Sequence, residues 1–234
     1  MGMKTTVAGV ALAMGVSAAQ AADIEPVIPA PSWYVSLFGG VSWLEDVQTP
    51  YGHAGEEPNY DIDTASDPGF IVGGAVGTHL AEAVRVEFEV AYSENDVDTL
   101  RYSGPFNDGT NYDGSGSFAI LTFMGNLWYD MPLGETVYPY VGGGAGIAVV
   151  DADDVIYDDP AATGAVYDSS EVVFAFQLGA GLRWKAFENV TFDVGYRLRA
   201  MDGPTFETSD DNTTDYEADW IWSHNVVGGV SVGF

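Results

Sequence analysis

Ser223 and His224 are neighbours in the sequence and carry a nucleophile and a general base. A serine hydroxyl becomes reactive when an imidazole within hydrogen-bond reach accepts its proton. The residues around the pair alternate between polar and apolar, which predicts a β-strand, and adjacent side chains of a strand point to opposite faces. His224 is therefore expected to lie on the face away from Ser223, where it cannot activate the hydroxyl, and no catalytic residue is predicted.

Glu87 and Glu89 are two carboxylates of the kind that general acid–base catalysis uses in pairs. Arg85 has the same parity, so the three side chains would share one face of a strand. Three further arginines occupy the equivalent face of two later segments: Arg183, Arg197 and Arg199. An unpaired charge inside a protein is costly, so ion pairs inside the fold are the simplest interpretation. A gated proton or solute path is the alternative.

A glycine-rich run at residues 142–146 (GGGAG) has the composition of a phosphate-binding loop. A P-loop requires Gly-Lys-Ser/Thr after the glycines, and a dinucleotide-binding loop requires a helix that begins there. Neither follows in this sequence. In a sheet, glycines at alternate positions allow strands to bend and leave room for bulky side chains. The run is therefore interpreted as structural, and no cofactor is predicted.

The composition excludes several classes of protein. Seven Lys and Arg stand against 35 Asp and Glu, for a net charge of -28, whereas a nucleic-acid-binding protein needs a basic face. The chain has no cysteine, which excludes disulfides, a thiolate nucleophile and Cys-ligated zinc. Its 12 Phe, 6 Trp, 13 Tyr and 29 Gly favour a β-rich fold.

The acidic residues are concentrated in four polar segments, at residues 45–67, 94–113, 151–171 and 202–219. These hold 26 of the 35 acidic residues and one basic residue, Arg101. Their densest clusters contain Asp151, Asp153 and Asp154, and then Asp210, Asp211, Asn212 and Asp215. Such oxygens suit Ca²⁺ or Mg²⁺, but neither cluster has the glycine of an EF-hand loop. A solvated acidic surface is predicted, with no discrete metal site.

Segments with alternating polarity follow one another along most of the chain. In the segment 190–200, the even-numbered residues from Phe192 to Leu198 are apolar, and the odd-numbered residues include Asp193 and Arg197. A helical period would scatter these charges around the axis, whereas a period of two gathers them on one face. The pattern predicts eight strands, near residues 33–44, 69–80, 84–94, 116–130, 137–149, 172–184, 190–201 and 220–234.

The predicted connections alternate between short turns and the four long acidic segments. In an antiparallel meander this places every short turn at one end, as in barrels of the outer membrane. Aromatic residues near predicted strand ends suit the two interfacial girdles of such a barrel: Trp33, Trp43, Tyr92, Trp128, Tyr129, Tyr138, Tyr140, Trp184, Trp220 and Trp222. A soluble barrel, with an apolar interior, is the alternative. The sequence favours an all-β, eight-stranded, antiparallel up-and-down transmembrane barrel.

The first residues have the features of an export signal. Lys4 precedes an apolar run that ends in Ala-Gln-Ala at residues 19–21, which is a small-x-small cleavage site. We therefore expect a cleaved signal peptide at residues 1–21, a Pro-rich periplasmic tail at 22–31 and the barrel domain at 32–234. No later stretch is long and apolar enough for a transmembrane helix.

Four segments are similar to those of small outer-membrane barrels of Gram-negative bacteria, the type of the OmpA membrane domain. They are YPYVGGGAG at 138–146, FQLGAG at 176–181, FDVGYR at 192–197 and the terminal Phe234. The chain resembles most the alphaproteobacterial surface-antigen or outer membrane protein β-barrel family. The resemblance covers about 200 residues and implies outer-membrane localisation, surface exposure and recognition of Phe234 by the barrel-assembly machinery.

Eight strands enclose an interior that side chains can fill, so we expect a non-enzymatic surface protein with a structural role in the envelope. A narrow solute or ion channel is the first alternative, and a lipid A-modifying enzyme is the second. The expected partners are membrane lipid and lipopolysaccharide, with divalent cations bridging the acidic loops to lipid phosphates.

Counting parity from Phe234 predicts which side chains face lipid and which face the lumen. Four residues expected to contact lipid are Phe88, Val90, Val194 and Tyr196. His224 is expected on the same face, at the outer interface. Within the lumen, Arg197 is predicted to reach Glu89 across the barrel, and Arg183 to pair with Asp193 on the neighbouring strand.

Overall fold

The structure is a computed structural model, and it describes residues 33–51, 60–104, 107–131, 133, 136–157, 167–206 and 216–234. The predicted signal peptide, the predicted tail and His53 lie outside these residues. No helix in the described part of the chain is long and apolar enough to cross a membrane.

The described residues form twelve strands. Strands form here because alternating polar and apolar side chains suit a sheet whose two faces lie in different environments. The strands are β1 (Trp33–Leu44), β2 (Val47–Tyr51), β3 (Tyr60–Ser66), β4 (Gly69–Ala81), β5 (Val84–Gly104), β6 (Asn107–Asp130), β7 (Val137–Tyr157), β8 (Tyr167–Lys185), β9 (Val190–Met201), β10 (Thr205–Phe206), β11 (Tyr216–Glu217) and β12 (Ile221–Gly233).

Eight of these strands close into an antiparallel ring. Going around it, β1 pairs with β4, then β5, β6, β7, β8, β9 and β12 follow in order, and β12 pairs with β1. Each ring strand therefore lies beside its predecessor and successor in the meander. The eight-stranded up-and-down barrel predicted from the sequence is confirmed, and each predicted strand lies within an observed ring strand to within one residue, although four of the observed strands are longer than predicted.

The structure differs from the prediction in the polar segments, much of which is also strand. β5 and β6 continue past the predicted strand ends to pair as far as Gly104 and Asn107. β2 and β3 form a further hairpin, and β3 pairs with the outer part of β5. These extensions lack the apolar face that marks a membrane strand. The alternation of polar and apolar residues therefore ends, although backbone hydrogen bonds continue to pair the strands.

The two faces of the barrel have the predicted chemistry. Phe88 is 53% exposed and Val194 is 54% exposed, both on the outer face. Arg85, Glu89 and Arg197 point inward and are at most 6% exposed. At the level of these residues the charged face is therefore the lumen, and the aliphatic and aromatic face is the outer surface.

The glycines of the ring make room for aromatic side chains inside it. A Cβ atom at Gly77 would lie 2.5 Å from the ring of Tyr34, and one at Gly195 would lie 2.2 Å from the hydroxyl of Tyr140. Within the run 142–146, a Cβ at Gly146 would lie 1.9 Å from a backbone oxygen of the neighbouring strand. The structural interpretation of the glycine-rich run agrees with this close approach.

Candidate functional site in the barrel lumen

A cluster of charges lies in the half of the lumen nearest the short turns. Arg85 donates from Nε to Asp130 Oδ2 at 2.7 Å and from Nη2 to Asp130 Oδ1 at 3.1 Å, which is a bidentate pair. Its Nη1 also donates to Glu87 at 2.5 Å and to the hydroxyl of Tyr34 at 3.0 Å. These groups come from β1 and from the adjacent strands β5 and β6, so the cluster links β1 to a strand pair that lies beyond its neighbour β4.

The prediction that Arg183 pairs with Asp193 is wrong. The two residues are opposite one another in the β8–β9 register, yet Arg183 Nη1 contacts Asp130 Oδ2 at 3.1 Å. Asp130 thereby serves two arginines. The sequence interpretation overlooked it because it is the last residue of its strand, although it shares parity with Asn126 and Trp128, which also point inward.

Trp128 and Tyr140 are also placed differently from the prediction. They were expected in the interfacial girdles, but they are 1% and 5% exposed and lie inside the lumen. Trp128 Nε1 donates to Glu87 Oε2 at 2.8 Å, and its ring meets that of Tyr140 edge to face. Tyr138 lines the lumen at its short-turn end. Parity outweighs closeness to a strand end, because side chains two residues apart share a face.

A second cluster surrounds Glu89, which is fully buried. Arg197 Nη1 reaches it at 2.5 Å from the opposite side of the ring, which confirms the predicted pair, and Arg199 Nη2 reaches it at 2.9 Å. Asn126 and Gln177 donate weaker bonds at 3.3 and 3.4 Å. The carboxylate therefore has four donors, which is how a buried charge is made tolerable.

Arg197 has apolar contacts in addition to its ion pair. Its guanidinium carbon lies 4.2 Å from the centre of the Phe38 ring and 5.9 Å from that of Trp128. Within the described residues, its Nε has no hydrogen-bond partner. Arginine suits this position because its planar, weakly hydrated guanidinium can stack on an aromatic ring and, at the same time, donate hydrogen bonds to a carboxylate.

An apolar layer fills the lumen beyond Glu89, toward the long hairpins. It begins beside the charged cluster, because Met124 is opposite Glu89 in the β5–β6 register and is also fully buried. The layer includes Leu44, Phe118, Ile120, Met124, Ala148, Val150, Val173, Met201 and Ile221. The sequence analysis expected a polar interior and did not predict this layer. The signal that could have predicted this layer was the series of apolar residues with inward parity in the outer half of β6.

The cavities lined by described residues show how little space is left. A cavity of about 370 Å³ opens at the short-turn end and is lined by residues that include Trp33, Arg183 and Lys185. Deeper in, between Arg85 and Arg197, about 20 Å³ remains, which is room for about one water molecule. The charged and apolar layers therefore fill most of the interior.

Ser223 and His224 lie on opposite faces, as expected. Ser223 is buried in the lumen and receives a hydrogen bond from Asn225 Nδ2 at 2.9 Å. His224 is on the outer surface, with Nε2 at 2.8 Å from a carboxylate oxygen of Glu45 and Nδ1 at 2.5 Å from the hydroxyl of Tyr196. The imidazole is therefore held away from the serine hydroxyl.

The described part of the acidic segments holds no group of three or more His, Asp or Glu that could bind a metal ion. Asp151 and Asp153 lie near the outer end of β7, with exposed side chains. The cluster at residues 210–215 lies outside the described residues, so the expectation of diffuse cation binding stays a prediction.

Comparison with known proteins agrees with this architecture. The family model for the outer membrane protein beta-barrel domain matches residues 8–234. An uncharacterized protein of Brucella suis is 25% identical over 225 residues, which cover 82% of this chain and 79% of that protein. An uncharacterized protein of Brucella abortus matches to the same extent.

Two solved structures are similar in fold. Neisserial surface protein A has a TM-score of 0.52 at 16% identity, and the match covers 88% of this chain and all of that one. The outer membrane protease OmpT of Escherichia coli has a TM-score of 0.55 at 9% identity, over 89% of this chain and 99% of that one. At these identities the likeness concerns the fold alone, whereas the family match spans nearly the whole sequence. The chain therefore belongs to the outer membrane protein β-barrel family, whose members lie in the bacterial outer membrane.

Proposed function

We propose that this barrel is a non-conducting, non-catalytic surface protein with a structural role in the outer membrane. The observation that carries the proposal is the filled lumen. An ion that crossed the barrel would have to pass the charged layer around Glu89 and then the apolar layer around Met124. Stripping water from an ion in an apolar passage is costly, so the apolar layer is the stronger barrier.

The charged layers favour a closed barrel for a second reason. The buried arginines already have carboxylate partners at hydrogen-bond distance, such as Asp130 for Arg85 and Glu89 for Arg197. A permeating ion would have to displace one of these partners and leave a buried charge uncompensated. The lumen side chains therefore hold adjacent and opposite strands together instead of lining a path.

The proposed absence of catalysis rests on the separation of Ser223 from His224. The serine is 2% exposed inside the ring, whereas the histidine is bound by Glu45 and Tyr196 outside it. A nucleophile and its base must lie within hydrogen-bond reach of one another. Lipid A from cells that express the protein should therefore keep its mass, and a new lipid A species that depends on Ser223 would contradict the proposal.

Planar-bilayer recording tests the closed lumen. Purified, folded protein should insert without producing discrete current steps at 1 M salt, where the Debye length is about 3 Å and surface charges are screened. A general porin, recorded in the same bilayers, shows that the conditions detect conduction. Reproducible steps whose size scales with salt concentration would favour a narrow channel instead.

We also propose how the protein meets its surroundings. Phe234 is 78% exposed on the lipid-facing parity, which suits recognition by the barrel-assembly machinery. Deleting Phe234 should lower the yield of assembled barrel without changing synthesis.

The acidic loops would join lipopolysaccharide through divalent cations, because direct contact between two anionic surfaces is repulsive. Millimolar Ca²⁺ should then protect the loops from proteases at low salt more than at high salt.

A further inference from the structure

His224 is fixed at the outer end of the barrel by partners on both ring nitrogens. Glu45, just after β1, lies at Nε2, and Tyr196 of β9 lies at Nδ1. The register places His224 opposite Trp43, whose indole is 40% exposed on the same outer surface. This lipid-facing patch therefore combines aromatic rings with a carboxylate that is held in place.

A cavity adjoins this patch, where β1 leads into β2 and the chain enters β12. Its volume is about 710 Å³, and we call it the rim groove, lined by Glu45, Asp46, Gln48, Asp219, Trp220 and Trp222. Three of the six residues are acidic and two are tryptophans, with indoles 47% and 39% exposed. A backbone hydrogen bond from Asp219 to Gln48 holds the two sides of the groove together.

The charges of the rim groove are incompletely balanced. Glu45 contacts His224, but within the described residues neither Asp46 nor Asp219 has a basic side chain within 4 Å. The described acidic residues also show no grouping that could hold a metal ion. The groove therefore offers negative charge over a broad area next to two partly exposed indole rings, of which that of Trp220 stacks on Phe176, without the converging oxygens that a small divalent cation needs.

The position of the groove limits what can reach it. Tryptophans of an outer-membrane barrel lie at the level of the lipid headgroups, and the long hairpins mark this end as the outer one. A phosphate group would be repelled by the carboxylates. An organic ammonium group, whether primary or quaternary, is cationic, and indole rings beside carboxylates are the surroundings that attract such a cation.

We propose that the rim groove binds the ammonium group of an amine-bearing lipid headgroup in the outer leaflet. Trp220 and Trp222 contact the cation through their ring faces, and Asp46 and Asp219 balance its charge. The pair of Glu45 and His224 fixes the wall of the groove nearest the lipid. The inference goes beyond the proposed structural role, and it holds whether or not the lumen conducts.

Native mass spectrometry of the full chain tests the proposal. The folded protein in detergent is mixed with equal amounts of phosphatidylcholine, phosphatidylethanolamine and phosphatidylglycerol with identical acyl chains. The two amine-bearing lipids should be retained about 5- to 10-fold more than phosphatidylglycerol, the range that one cation–π contact supplies. Tetramethylammonium chloride should displace them, whereas sodium chloride of equal ionic strength should not.

Variants with matched controls separate the groove from general charge. The double variant Asp46→Asn with Asp219→Asn, and separately Trp222→Leu, should reduce the preference to below about 2-fold. Trp184→Leu and Glu94→Gln remove an indole and a carboxylate elsewhere and should keep it. A heat-modifiable gel shift shows that each variant is folded. Equal retention of phosphatidylglycerol, or equal loss in the control variants, would overturn the proposal. So would a lysine-rich peptide that binds the groove in preference to every lipid.

Discussion

Replacing Glu89 with alanine should destabilise the barrel more than any other single change in its lumen. The carboxylate is fully buried and bonds Arg197 at 2.5 Å and Arg199 at 2.9 Å, so its loss leaves two buried guanidinium groups uncompensated. Removing one partner of a buried ion pair costs about 3–5 kcal/mol, and we expect about 5 kcal/mol here. Arg197→Ala should cost about 3 kcal/mol, because Glu89 then keeps Arg199.

A double-mutant cycle separates the pair from its surroundings. In the variant with both substitutions only Arg199 lacks its partner, so the loss should fall short of the sum of the two single losses by about 2–3 kcal/mol. Equilibrium unfolding in urea, followed by the heat-modifiable gel shift in lipid vesicles, measures all three free energies. Glu94→Ala, on the outer surface beside Tyr92, is the matched control and should change stability by about 0.5 kcal/mol or less. Strictly additive losses would show that Arg197 and Glu89 do not act as a pair.

Three further substitutions test other parts of the fold by the same unfolding assay. Val194→Arg, which places a charge on the lipid face, should cost about 2–4 kcal/mol, whereas Thr136→Arg in an exposed turn should cost little; equal tolerance would contradict the assignment of faces. Gly195→Ala should cost about 1–3 kcal/mol because the new Cβ would meet the Tyr140 hydroxyl, whereas Gly228→Ala, with its nearest atom at 3.8 Å, should be tolerated. Trp128→Phe should cost about 1.5–3 kcal/mol through loss of the bond to Glu87, and the half-exposed Trp184→Phe should not.

The ring of strands was predictable because each membrane strand has two contrasting environments. Alternation at residues 190–200 located β9 to within one residue, and parity from Phe234 correctly assigned Val194 to the outside and Arg197 to the inside. The pair of Arg197 with Glu89 followed from the same count, because their strands lie opposite one another in an eight-membered ring.

What the sequence could not supply were details that depend on three-dimensional reach. Arg183 and Asp193 are neighbours in the register, but the flexible arginine extends to Asp130, where Arg85 already binds. The apolar layer around Met124 escaped prediction because side chains on both faces are apolar there, so the alternation that marks a lumen position is lost. The extensions of β5 and β6 escaped it because they are mostly polar and because a register shift between Asp96 and Thr99 interrupts the alternation, although Val97 and Leu100 are buried.

The central claim, a surface-exposed barrel with a sealed lumen, is tested most directly by labelling single cysteines in intact cells. The chain contains no cysteine, so each introduced thiol reports one position. With a membrane-impermeant maleimide, a cysteine at Asp202, exposed beyond the outer end of β9, should react on intact cells, and one at Thr136, in a short turn, should react only after the outer membrane is opened. A cysteine at Ala148, which is fully buried in the apolar layer, should react only after unfolding. Labelling of Ala148→Cys in the folded barrel, at a rate similar to that of Asp202→Cys, would mean that water and solutes enter the lumen and would contradict the account.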